Sequence, residues 1–234
     1  MPRTDGSNDE FDSYSADYNG YVNRALAFTG VEVDFFTRVK MEYLLTFMVE
    51  HFASDTPAAA LDVGCGIGNG HNILGGHLAR LCGIDVSAAS IEVAQRQNPW
   101  VEYSHFDGAS IPYEDATFDF AFAICVFHHV GLDQRGPLVA EMQRVLKPGG
   151  FIVIFEHNPL NPITMRVVNR CEFDRDAILL KSRTCTDLVR AGGFNDLNYR
   201  FILAVPPVNA PLRALDRLLS KMPLGAQYYV AGRK

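Results

Sequence analysis

The chain has 234 residues, nearly half of them hydrophobic, with a net charge of −6 and five cysteines. That content lets a single α/β domain, residues 1–234, bury its own core. The acidic balance argues against a basic, phosphate-tracking face, so no nucleic-acid partner is expected. Cys65, Cys82, Cys125, Cys171 and Cys185 are odd in number and contain no CxxC pair. They fit a reducing, cytoplasmic setting better than a disulfide framework or a zinc ribbon. The acidic opening MPRTDGSNDEFDSYSADYNG is the opposite of a signal peptide, and no run of about 18 apolar residues offers a membrane span.

The first 52 residues read as an N-terminal helical cap. Tyr14, Tyr18 and Tyr21 interleave with acids, and Phe35, Phe36, Val39, Tyr43, Leu44, Phe47 and Met48 recur at helical spacing. That spacing predicts an amphipathic helix from Asp34 to Phe52. Next comes ALDVGCGIGNG, residues 60–70. An apolar strand stops in glycines at alternate positions, where the backbone can turn tightly and approach a ligand. A helix beginning near Asn69 would turn its N-terminal amides to that ligand. This is the first βα turn of a doubly wound, Rossmann-like nucleotide-binding sheet. A dinucleotide fingerprint needs glycines at i, i+2 and i+5. Here the i+5 places are Asn69 and His71, so a dinucleotide is not expected.

Further apolar runs follow in order. LCGIDVS (81–87) ends in Asp85, after a short helix over His71–Arg80. A helix over Ser87–Gln97 has Ser87 as its N-cap. WVEYSHFDGA carries a third strand and then Asp107, FDFAFAICVFHHV (118–130) a fourth, and RVLKPGGFIVIFEHN (144–158) a helix end, a Pro-Gly-Gly turn and a fifth. Strands over Leu197–Val205 and Gln227–Gly232 close the series.

An acid two places before GxGxG, with these downstream segments in this order over residues 10–205, resembles the class I S-adenosylmethionine (SAM) methyltransferases. The overall look is similar to their small-molecule branch, which includes quinone-biosynthesis enzymes. The resemblance implies a seven-stranded sheet of order 3-2-1-4-5-7-6 with strand 7 antiparallel. It implies SAM as cofactor and S-adenosylhomocysteine as product. It places Asp62, Gly64, Cys65 and Gly66 in the cofactor turn, Asp85 on the ribose hydroxyls with Val86 beside it, and Asp107 on the adenine amine. Gly108 or Ala109 would lie against the ring, and Cys125 follows the fourth strand. Tyr14 or Tyr18 would touch the methionyl end.

Methyl transfer from a sulfonium asks the protein to align a nucleophile and exclude water. A hydroxyl acceptor also needs a base, for which histidine suits neutral pH. His129, His128 and His157 stand at the ends of the fourth and fifth strands, with Glu156 beside His157. In extended backbone adjacent residues point opposite ways, so at most one histidine of the pair would face the substrate directly. His51, His71, His77 and His105 are scattered, and no metal is expected. The absence of an NPPY-type motif counts against methylation of nucleobase or glutamine amide nitrogens.

Residues 156–180 and 206–225 are expected as acceptor-side inserts. In the second, leucines face one way and Arg213, Arg217 and Lys221 another, as in a lid or packing helix. A membrane-surface helix over 211–222 has the same pattern. The reading is a SAM-dependent methyltransferase, monomer or homodimer, acting at oxygen or nitrogen of a small molecule. Carbon methylation of a quinone-type ring and a non-catalytic SAM-binding role are the alternatives.

Overall fold

The computed structural model describes residues 17–52 and 58–234, with Tyr18 by its backbone alone. The chain divides into two compact units, Met1–Tyr113 and Glu114–Lys234. The first holds α1 (Tyr18–Leu26), α2 (Val33–His51), β1 (Ala59–Val63), α3 (His71–Leu74), β2 (Arg80–Asp85), α4 (Ala88–Gln97) and β3 (Glu102–His105). The second holds β4 (Phe118–Ile124), α5 (Arg135–Val145), β5 (Leu146–His157), α6 (Pro162–Val168), α7 (Ser182–Ala191), β6 (Asn195–Ile202), α8 (Ala210–Leu219) and β7 (Gln227–Arg233).

The strands form a seven-stranded sheet of order β3-β2-β1-β4-β5-β7-β6. β1, β2 and β3 pair in parallel, as do β4 and β5, and β7 runs antiparallel to both β5 and β6. This is the arrangement the resemblance implies. Phe120, Ala121, Phe122 and Ala123 of β4 are all fully buried. A strand covered on both faces needs such a continuous apolar run. Each buried Phe contributes about 1.5–3 kcal/mol.

Ser87 caps α4 by accepting from the Ser90 amide at 3.0 Å, as its sequence position predicts. Two boundaries differ from expectation. The helix after the glycine turn ends at Leu74 rather than Arg80, because Gly75 and Gly76 follow, Gly76 with φ +80. One turn of helix is too short to offer a developed N-terminal dipole. β6 ends at Ile202 rather than Val205, because the buried Asp216 carboxylate takes the amides of Leu203 and Ala204 at 3.1 and 2.7 Å. Asp216 sits on α8, so that helix is bolted to the end of β6 and is more than a detachable lid.

Candidate functional site

In the first unit the chain after β1 reverses through Gly64, Gly66, Gly68 and Gly70, all at positive φ. The amides of Gly64 and Cys65 both donate to the Ile84 carbonyl, at 2.8 and 3.0 Å. The Gly66 amide donates to Asp85 Oδ2 at 2.7 Å, and the Ser87 amide to Asp85 Oδ1 at 2.9 Å. The turn is thus pinned to the end of β2 by its own backbone. At Gly66 φ is +52 and a Cβ would meet nothing within 4 Å. Open space over a glycine at positive φ leaves room for a ligand to approach the backbone.

Asp85 is buried, and desolvation raises its carboxyl above the usual range despite the two amide hydrogen bonds. A carboxylate has about four lone-pair sites, so hydroxyl donors can still be received there. Asp107 Oδ1 accepts from the amides of Ala109 and Ser110 at 2.9 and 2.8 Å, and these bonds hold its carboxyl below the usual range. That geometry leaves Oδ2 for an exocyclic amine. At Gly108 φ is +81 and an added Cβ would stand 3.2 Å from Val86, so Val86 and the 107–109 turn form one wall.

Cys65 is buried, and burial first, with the nearby Asp62 and Asp85 charges, raises its thiol well above the usual range. Its contribution is its backbone. Asp62 is also buried. Its Oδ2 lies 2.8 Å from His71 Nε2, and His71 Nδ1 lies 2.6 Å from the Tyr103 hydroxyl. Asp62 Oδ1 is buried with no hydrogen-bond partner among the described residues, an acceptor that suits an ammonium group. Asn69 Nδ2 donates to Asn19 of α1 at 2.7 Å, so the N-terminal helix touches the glycine turn. Tyr14 and the Tyr18 side chain lie outside the described residues. The cradle at Gly66, the buried Asp85 and the Asp62 oxygen fit SAM, which brings space-filling ribose, hydroxyl donors and cationic groups.

In the second unit the chain leaves β4 through Cys125, whose φ of +58 is rare for a residue with a side chain. Residues 126–130 then form a turn closed by the His129 amide on the Val126 carbonyl at 2.9 Å. Glu156, at the end of β5 and fully buried, binds this turn twice. Its Oε1 accepts from the Phe127 amide at 2.8 Å, and its Oε2 lies 2.6 Å from His128 Nδ1. Backbone in a turn does not alternate, so the expectation of opposed histidines fails. The two rings lie 4.2 Å apart, and both present Nε2 to Asp174 Oδ1, at 3.5 Å from His128 and 3.4 Å from His129. His157 lies with its ring 5.1 Å from that of His128 and its Nδ1 3.3 Å from Gln227 Nε2. Gln227 also reaches Cys125 Sγ, at 3.6 Å.

Burial opposes a charge on His128, but Glu156 and Asp174 outweigh it and push its pKa up to about 10. His129 goes the other way: burial, helped by the neighbouring His128 charge, lowers it, and Asp174 only partly compensates. Despite burial, the histidines hold the Asp174 carboxyl well below the usual carboxylate range and lower that of Glu156. At neutral pH the cluster therefore holds two carboxylates, one imidazolium and one neutral imidazole. Donor atoms of His128, His157 and Asp174 lie within 4.8 Å of one another.

Asp174 escaped the sequence reading. It sits in a 3-10 turn, Glu172–Asp174, inside an insert with no periodicity, one acid among several. The buried Arg135 fixes that insert by donating to Val130 O at 3.0 Å and Ile178 O at 2.6 Å. His71 and Tyr103 were missed for the same reason, being partners 32 residues apart.

Residues 61–154 match the family described as a methyltransferase domain. An O-methyltransferase of Penicillium expansum is 40% identical over 101 residues, which cover 40% of this chain and 36% of that protein. Squalene methyltransferase 1 of Botryococcus braunii is 28% identical over 175 residues, covering 69% and 46%. The chain thus spans less than half the length of these two curated relatives. A SAM-dependent methyltransferase from Thermotoga maritima shares the fold at a TM-score of 0.62 and 20% identity, covering 86% of this chain and 98% of its own. A doubly wound sheet alone would admit several nucleotides; the methyltransferase domain matched over residues 61–154, on top of this glycine spacing, makes the chain similar to the class I S-adenosylmethionine-dependent methyltransferases.

Proposed function

We propose that this chain methylates an oxygen or nitrogen of a small-molecule acceptor, as one domain whose segments 156–180 and 206–225 shape the acceptor side. When bound, SAM supplies a methyl group on a good leaving group. Gly66 gives it room, Asp85 receives the ribose hydroxyls, Asp107 the adenine amine, and Asp62 Oδ1 the methionyl ammonium. What carries the reaction class is the placement of the two histidines, His128 between the Glu156 and Asp174 carboxylates and His129 beside Asp174. His128 is held protonated by Glu156 and Asp174, so it orients and stabilises but cannot accept a proton. His129 stays neutral. The Asp174 carboxylate facing its Nε2 favours the proton there, leaving Nδ1 as the base. A proton taken from an acceptor hydroxyl or ammonium would move to that nitrogen.

Carbon methylation is the second reading, favoured by the relative named for squalene. A nucleophilic carbon attacks the methyl before it loses a proton; the two carboxylates would then stabilise the resulting cation, and its proton would leave to water. A SAM-binding role without transfer would need neither. Incubating the chain with methyl-labelled SAM and a metabolite extract separates the three. Label in a methyl ether or methylamine, lost in His129→Ala, supports the proposal. Label on carbon, kept by His129→Ala, supports the second reading, and no labelled product supports the third.

A further inference from the structure

The outer sides of the two segments proposed above to shape the acceptor side form one face of the second unit. Asn158 Nδ2 donates to the carbonyls of Pro223 and Gly225 at 3.1 and 2.7 Å, Asn161 Nδ2 to Leu224 O at 2.8 Å, and Thr164 Oγ1 to Ala226 O at 2.7 Å. The loop leading into α6 is thereby tied to the chain leaving α8. Both carry large apolar side chains into solvent: Leu160 and Ile163 on one, Leu218, Met222 and Leu224 on the other, with Leu218 77% exposed. On α8 only Leu212 and Leu219 of the apolar set turn partly inward, so most of the leucine stripe is not packing.

The same segments are basic. Residues 157–171 contain Arg166 and Arg170 and no acid, and residues 204–226 contain Arg213, Arg217 and Lys221. All five are exposed. The single acid, Asp216, is buried against backbone amides. In a chain of net charge −6, two adjoining segments with five exposed cations, no exposed acid of their own and projecting leucines are a local reversal. We propose that this face docks on an anionic lipid bilayer, the leucines and Met222 entering the headgroup boundary and the cations pairing with lipid phosphates. No helix among the described residues is long and apolar enough to cross a membrane, so the contact is with the surface.

Flotation of the purified full chain tests this with vesicles of phosphatidylcholine alone or mixed with phosphatidylglycerol. The wild type should float with the anionic vesicles, sink with the neutral ones, and be released by salt. Each cation near the surface changes partitioning roughly five-fold. Arg217→Glu with Lys221→Glu should therefore weaken it at least roughly 25-fold. Leu218→Glu with Met222→Glu should abolish flotation, while melting temperature and SAM affinity stay at wild-type values. Wild-type protein that sinks with anionic vesicles overturns the proposal and leaves a protein partner as the occupant. So does flotation that survives Leu218→Glu with Met222→Glu.

Discussion

The two units build their sites from different materials. Around β1 and β2 the cofactor turn is made of backbone: glycines at positive φ, amides spent on Ile84 and Asp85, and open space over Gly66. Around β4 and β5 the cluster is made of side chains, with Glu156, His128, His129 and Asp174 gathered from positions up to 46 residues apart in sequence. A backbone-built turn is broken by a side chain grown into its ligand space, and of side chains it leans chiefly on the Asp85 carboxylate that takes the Gly66 amide. A cluster of charges depends on each member, because removing one leaves its buried partner uncompensated. The first kind of site should fail by exclusion, the second by loss of function with binding intact.

The sharpest break of that contrast is His129→Ala. Loss of a general base lowers turnover by about 10²–10⁴-fold, while SAM affinity, measured by calorimetry, should stay near wild type. Near-native turnover would remove the base from the mechanism. In the first unit Gly66→Val puts a branched side chain into the cradle at a φ of +52. SAM binding should then be lost while the melting temperature of the SAM-free protein falls only modestly. Asp85→Ala is milder: it removes charged hydrogen bonds of about 1.5–3 kcal/mol and should weaken SAM roughly 10–100-fold. Unchanged affinity in either variant would mean that the cofactor turn is misassigned.

The same contrast explains what could be read from the chain. Glycine spacing is local, so ALDVGCGIGNG announced both the turn and the strand before it, and apolar runs announced β2, β4 and β5 in their right order. Asp85 was marked because it ends such a run, whereas Asp107, after the polar EYSH of β3, was marked by the resemblance alone. The histidine pair was visible, but its geometry was not, since the turn over 126–130 is held by Glu156, 28 residues away from His128. Asp174 was invisible: nothing in CEFDRDA marks which acid turns inward. Sequence patterns report what repeats or borders an element, and a polar cluster closed by tertiary packing does neither.

Asp216 tests a smaller, structural claim within the second unit. It lies among the leucines and arginines of α8 but is fully buried. Asp216→Ala leaves the Leu203 and Ala204 amides without their buried acceptor, an expected loss of about 1–3 kcal/mol. Denaturant unfolding should show it as a lower midpoint with unchanged slope. Full stability in the variant would return α8 to the status of a detachable lid. The same bond predicts that deleting 211–222 costs folding as well as turnover.

The finest prediction concerns the pH profile. His129 must be neutral to accept a proton, and burial lowers its pKa, so the acid limb of kcat should lie below about 6.5, the value of an ordinary histidine. An acid limb above that value would assign it to another group. Asp174 favours the charged form of His129. Asp174→Asn removes that support, so the limb should move further toward acid while the plateau drops, because the tautomer is no longer fixed. A purely structural role for Asp174 would lower the plateau and leave the limb in place. Asp174→Glu, which keeps the charge, should restore the limb toward its wild-type position even if the plateau recovers only in part.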